Sequence, residues 1–226
     1  MRHISKLIPA LFLFTIILFS CKNDAPQAAA AVPAHSPVDT LKMKQVSSEG
    51  ARSFSVIEGT VFWAGKKAIG DFHTGAIQSS EGTLKVNEGT LLSGNIMLDM
   101  NSITVTDIKD PGEKRDLESH LKDSDFFEVG KFPKAEFNIT EVLPSNNPAF
   151  NNVISGTLTM KGKTNPVNIP VKMKIEGNVL TAESATFVIN RTQWGVNFRS
   201  GLLGTAKDKL IEDVVTLSLK LRAVGK

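Results

Sequence analysis

The chain contains a single cysteine, Cys21, and no tyrosine. One cysteine excludes any intrachain disulfide. Two tryptophans and no tyrosine argue against an outer-membrane barrel, whose lipid-facing strands carry aromatic girdles at both interfaces. Histidine is scarce as well. His3 and His35 lie near the start, leaving His73 and His120 for the body of the chain, without a cysteine nearby or a partner at i+4, which is a weak metal pattern. Hydrogen-bonded structural imidazoles are the favoured reading of both. No nucleophile elbow, phosphate loop or paired-acid motif occurs, so a metal-assisted enzyme built on the two histidines ranks last. Net charge is scarce too: without Arg2 and Lys6, 24 basic residues face 23 acidic ones, and no nucleic-acid footprint results.

What the chain does have begins with a secretion signal. Arg2 and Lys6 precede an apolar run from Leu7 to Phe19, interrupted by Pro9 and too short to span a bilayer, so residues 1–20 are read as a signal peptide. Leu18-Phe19-Ser20-Cys21 resembles the lipobox of bacterial lipoproteins. That resemblance implies a lipidated Cys21 at the mature N-terminus; the alternative is a secreted protein with a stray thiol. Two or more acyl chains, at about 0.8 kcal/mol per buried methylene, make a stable anchor. Residues 21–50 then read as the acylated cysteine and a flexible tether, because Ala, Pro and Ser dominate and little apolar area is available to offset ordering entropy.

From Ser53 onward the period is two. Val61 and Trp63 share a face, as do Leu84 and Val86, and Leu92 to Met100 alternates with only Met97 out of phase. Ala135-Phe137-Ile139, Ile154 to Met160, Val167 to Ile175, Ala185 to Ile189 and Val215 to Leu221 continue the pattern, with turn signals between them. About eight antiparallel strands follow, each with one apolar face. A sandwich and a closed barrel both satisfy this alternation. Long strands, with Gly75, Gly94 and Gly156 on the inward face, favour the curved, closed sheet.

One stretch breaks the alternation. Leu117 to Phe137 brings Leu117, His120 and Leu121 to helical spacing and carries Phe126-Phe127, which marks it as a plug or lid. Asp123 to Asp125 reads as a helix N-cap ahead of the two phenylalanines. A second candidate lid runs from Asn190 to Lys209, with the glycine-bounded Leu202-Leu203. Phe126, Phe127, Phe132, Phe150, Trp194 and Phe198 stand outside plain strand positions. They either fill a core or wall a dry pocket suited to a hydrocarbon chain. Arg191, beside that pocket, is read as a surface cation, a stacking partner of Trp194 or a contact for a polar head group.

These residues carry a resemblance to the YceI-like family of lipocalin-like, polyisoprenoid-binding envelope proteins, over residues 53 to 224. The matching stretches are Gly59 to Lys66 with His73-Thr74-Gly75, and Leu84 to Ile103. His120-Leu121-Lys122 with Asp125-Phe126-Phe127 and Phe132 to Phe137, then Gly156 to Thr164 and Arg191 to Val196, complete the set. Pro148-Ala149-Phe150 reads as a loop insertion.

The resemblance implies an all-β, eight-stranded antiparallel barrel over residues 51–226, with a short helical insertion and an apolar lumen. It implies non-enzymatic binding, storage or transport of a long polyisoprenoid or similar lipid in the bacterial cell envelope. The ligand is expected to meet Trp63, His73, His120, Phe126, Phe127, Phe132, Phe137, Arg191, Trp194 and Phe198. No cofactor and no metal is expected. Partners are an amphiphilic lipid, the membrane through the Cys21 anchor, and a second copy of the chain as an allowed assembly. The competing reading is an envelope interaction module with no lipid ligand.

Overall fold

The computed structural model describes residues 48–70 and 72–226; the signal segment, Cys21 and the tether up to residue 47 lie outside the described residues. Alternating side chains become nine antiparallel strands: β1 (Arg52–Lys66), β2 (Phe72–Asn87), β3 (Thr90–Val105), β4 (Lys134–Pro144), β5 (Asn152–Met160), β6 (Lys163–Glu176), β7 (Val179–Ser184), β8 (Phe187–Asn190) and β9 (Val214–Gly225). Neighbours in sequence pair from β1 through β7, and β9 closes the sheet by pairing with β1 from Phe54–Gly225 to Ala64–Thr216. β7 and β8 lie end to end along β9, against Val224 to Lys220 and Leu217 to Val214. They form one broken wall position, so the barrel is eight strands around. Closure pairs the edges that an open sheet would leave to other chains.

The inward half of each strand meets in one apolar core. Phe54, Leu84, Met100, Ile103, Leu180 and Ala223 are fully buried there. Each large side chain so buried stabilises the fold by about 1.5–3 kcal/mol relative to exposure. Two strand details differ from the sequence reading. A bulge sits where Val86 pairs with Leu91 but Lys85 with Ser93, so Leu91 turns inward and Leu92 does not. β7 was not anticipated, because VLTAES offers only Val179, Leu180 and Ala182 to an alternation count.

The insertion between β3 and β4 is α1 (Pro111–Lys122). It starts six residues earlier than the Leu117 spacing indicated. Asp110 is its N-cap, accepting from the N–H groups of Gly112 and Glu113 at 2.8 and 2.9 Å, and Pro111 stands where no intrahelical donor is needed. Asp123 caps the other end, with its own N–H bonded to the carbonyls of His120 and Ser119. The expectation of an N-cap at Asp123 to Asp125 is therefore corrected: Phe126 and Phe127 follow the helix in a turn. No helix among the described residues is long and apolar enough to cross a membrane.

Candidate ligand-binding lumen

The helix lies across one end of the barrel, and it and the turn that follows it are each held there by a hydrogen bond or pair of hydrogen bonds. Glu118 accepts a hydrogen bond from the Val105 N–H at 2.8 Å, tying α1 to β3. Lys161, in the β5–β6 turn, donates to the carbonyls of Ser124 and Phe126 at 2.9 and 2.6 Å. The segment after β8 comes in from the other side. His120, Phe126 and Phe198 pack as an aromatic trio with centroid separations of 4.8 to 5.2 Å. The two segments read as lids thus meet each other over the mouth.

Beneath them is a cavity of about 120 Å³, walled by Val61, Trp63, Met100, Phe127, Leu158 and Met160 among others. A second cavity of about 30 Å³ lies toward the far end, between Leu84, Phe137, Ile154 and Val171. Phe137 stands on β4 between Ala135, which lines the first cavity, and Ile139, which lines the second. The interior is therefore a divided lumen rather than one open tube. Outside the first cavity, and sharing Trp63, Gly65, Leu121, Phe126 and Ile211 with it, is a mouth pocket of about 320 Å³. Lys66, Lys67, His73, His120 and Arg199 rim that pocket.

The ten residues picked from sequence do not form one wall. Trp63, Phe126, Phe127 and Arg191 line the inner cavity, and His73, His120 and Phe198 join Trp63 and Phe126 at the mouth. Phe137 faces the second cavity. Phe132 packs over Gly162 in the β5–β6 turn, and Trp194 is fully buried with its Nε1–H donated to the Leu158 carbonyl at 2.9 Å; neither lines a cavity. Residues that line the lumen but were not picked, such as Met100, Met160 and Leu217, were legible from strand phase, whereas Ile103 comes inward against the phase that runs from Leu92 to Met100. Arg199 belongs to the Asn190 to Lys209 segment read as a lid, but Lys66 and Lys67 read only as a turn, since only the fold brings a hairpin tip beside a distant loop.

Arg191 is a structural residue. It is 4% exposed, and its guanidinium donates to the carbonyls of Glu212, Val196 and Ile211 at 3.1, 2.7 and 3.0 Å and to Asp213 at 3.3 Å. Burial lowers its pKa, and Asp213 pushes the other way. With its donors so engaged it cannot also be the head-group cation, and that reading of Arg191 is corrected. In contrast, the Trp63 Nε1–H is buried without a partner.

The two mouth histidines each hold a carboxylate: His73 Nδ1 lies 2.9 Å from Asp107 and His120 Nε2 lies 3.1 Å from Asp125. Burial raises the Asp107 pKa, but hydrogen bonds from the Thr74 N–H, at 2.8 Å, and from His73 outweigh it, so the group is held below the ordinary carboxylate value. A carboxylate depressed in the fold contributes stability that is present above its unfolded pKa and lost as pH falls through the folded one. Acidification from about pH 5 downward should therefore loosen the β2–β3 end of the mouth. Urea midpoints followed from pH 6 to pH 3 should fall less steeply for Asp107→Asn than for the parent; equal slopes would contradict this.

A closed antiparallel barrel with an apolar interior and a helical flap over one end defines a lipocalin-like protein. Residues 32–223 match the YceI-like domain family, and the chain belongs to that family. A UPF0312 protein of Pseudomonas paraeruginosa is 34% identical over 102 residues, 45% of this chain and 44% of that protein. A UPF0312 protein of Staphylococcus aureus is 33% identical over 107 residues, 45% of this chain and 57% of that one. The chain spans about half the length of the curated relatives it matches. Among solved structures, Burkholderia cenocepacia BcnA shares the fold at a TM-score of 0.57 and 21% identity, over 74% of this chain and 96% of BcnA. A polyisoprenoid binding domain from Saccharophagus degradans, implicated in plant cell wall breakdown, shares it at 0.53 and 12%, over 77% and 99%.

Proposed function

We propose that the chain binds the apolar tail of an amphiphilic lipid, a polyisoprenoid or a similar chain, without chemical conversion, while tethered in the bacterial envelope through an acylated Cys21. The observation that carries this is the apolar cavity that shares part of its wall with a wider, cation-rimmed mouth pocket. An apolar cavity of about 150 Å³ stays dry and takes benzene, so the 120 Å³ here accommodates roughly one isoprene unit as it stands. A longer tail uses the mouth pocket and displaces Met100 and Met160, whose unbranched thioethers repack easily. An acceptor oxygen near the head of such a lipid would satisfy the Trp63 N–H, which otherwise costs about 1–3 kcal/mol. The polyisoprenoid binding of the Saccharophagus domain supports the choice of tail.

Native mass spectrometry of protein isolated from a bacterial envelope is expected to show an added hydrophobic mass. Ala135→Leu should remove it. Ala135 lines the cavity and is 1% exposed, so three further carbons occupy the space a tail would take. The same change should raise stability by about 0.5–2 kcal/mol, as cavity filling commonly does. A parent protein that stays empty, or a variant that keeps its adduct, would discard the lumen as the binding site.

A further inference from the structure

Four large apolar side chains stand bare on two neighbouring loops beside the mouth. Ile69 and Phe72, 55% and 61% exposed, belong to the β1–β2 hairpin tip. Leu202 and Leu203, 73% and 66% exposed, form a short 3-10 turn between β8 and β9. Backbone bonds join the loops: Ala68 N–H to the Leu210 carbonyl at 3.0 Å, Glu212 N–H to that of Lys66 at 2.8 Å, and a bridge between Lys67 and Ile211. The two leucines were expected to act as a lid, yet they line neither the lumen nor the mouth. They are held outward by a formed turn. Ser200, fully buried, accepts from the Leu202 N–H at 3.2 Å, and Gly204 closes the turn in the left-handed region at φ +68°. Exposing them costs free energy unless something covers them.

Charge indicates what does. Residues 66–72 and 199–212 carry five cations, Lys66, Lys67, Arg199, Lys207 and Lys209, against the three carboxylates Asp71, Asp208 and Glu212. Lys66 is 3.8 Å from Glu212, and the Arg199 guanidinium lies 5.1 Å from the centre of the Phe198 ring. Apolar tips at the ends of loops, ringed by cations, suit a soft anionic layer better than the flat, well-packed face that a protein partner requires. We propose that this end of the barrel docks on an anionic lipid bilayer, with Ile69, Phe72, Leu202 and Leu203 entering the head-group boundary and the cations meeting lipid head groups. The purpose of docking rests on the lipid-binding reading: a docked mouth lets a tail pass between bilayer and lumen without crossing water.

The test uses the mature chain from residue 21 with Cys21→Ala, carrying an environment-sensitive fluorophore on Leu202→Cys, or on Ser145→Cys in the β4–β5 turn at the opposite end. With vesicles containing phosphatidylglycerol, the Leu202 label should shift to the blue and the Ser145 label should not. Pure phosphatidylcholine or high salt should abolish the shift. Each cation at an anionic surface contributes about fivefold in partitioning, so Lys207→Gln with Lys209→Gln should weaken it about 25-fold. No shift at Leu202, an equal shift at both labels, or a shift without vesicles that grows with protein concentration, as a second copy on this face would give, overturns the proposal. The readout needs no lumen occupant. A bound mass without a label shift discards docking alone, and a shift with an empty lumen retains docking while the lipid cargo is lost.

Discussion

Gly75→Leu and Gly156→Leu should destabilise the barrel by about 3 kcal/mol or more, and Gly65→Ala should leave it intact, although all three glycines lie on inward faces. Gly75 pairs with Trp63 across β1 and β2, and a Cβ there would run into the Trp63 ring and the Thr104 carbonyl. At Gly156 the added carbon would stand 2.5 Å from Phe137 Cζ and meet the Asn138 carbonyl. Each glycine leaves room for a large inward side chain of the neighbouring strand, and a backbone oxygen cannot rotate out of the way. Inserting bulk into packed cores costs about 1–3 kcal/mol and sometimes more. With a backbone oxygen among the obstructions we expect at least the top of that range, against a total stability of order 5–15 kcal/mol. Gly65 lines the cavity with nothing near its Cβ position, and alanine there removes the entropic cost of a strand glycine. Urea melts at constant slope are the measurement. If Gly156→Leu melted within 1 kcal/mol of the parent, the close approach of Phe137 would be wrong. Bulk added at Gly75 or Gly156 therefore probes the packing of the wall, whereas Ala135 probes the lumen.

The barrel was legible because a half-buried antiparallel strand writes its inner face into every second residue, and most of these strands are long enough to repeat it four times or more. Where the alternation was short or shifted, it misled. Leu91 replaced Leu92 inside through a bulge, and six residues of β7 carried too few apolar positions to register. Helix α1 was found by Leu117 and Leu121 but not its start, since the positions four and three before Leu117 are the charged Glu113 and Lys114, which extend no apolar face.

The site was less legible than the fold, for a physical reason. A large or charged side chain at the end of a barrel can line a pocket or brace its walls, and only its hydrogen-bond partners decide. Trp194 and Trp63 look alike in sequence, yet one donates its N–H to a strand carbonyl and the other has none. Phe132, read as part of the wall, turns outward to cover a glycine turn. The mouth cations come from segments more than a hundred residues apart, so no spacing announces them.

Arg191→Met should cost about 3–5 kcal/mol, the range seen when one member of a buried charged pair is removed. The arginine fans its donors into three carbonyls and one carboxylate that all belong to residues 196–213, which fixes that segment against the barrel end. Methionine keeps the volume but strands those acceptors. Lysine should rescue little, because one ammonium cannot reproduce the planar fork that reaches Val196 and Ile211 at once. Because the segment also carries Phe198 of the mouth trio and the Leu202-Leu203 turn, its release should be visible locally before the barrel melts. Limited proteolysis should therefore cut Arg191→Met within residues 195–213 under conditions where the parent is resistant, alongside a lowered urea midpoint. A midpoint shift below about 1 kcal/mol, with no new cleavage there, would mean that Arg191 does not brace the mouth.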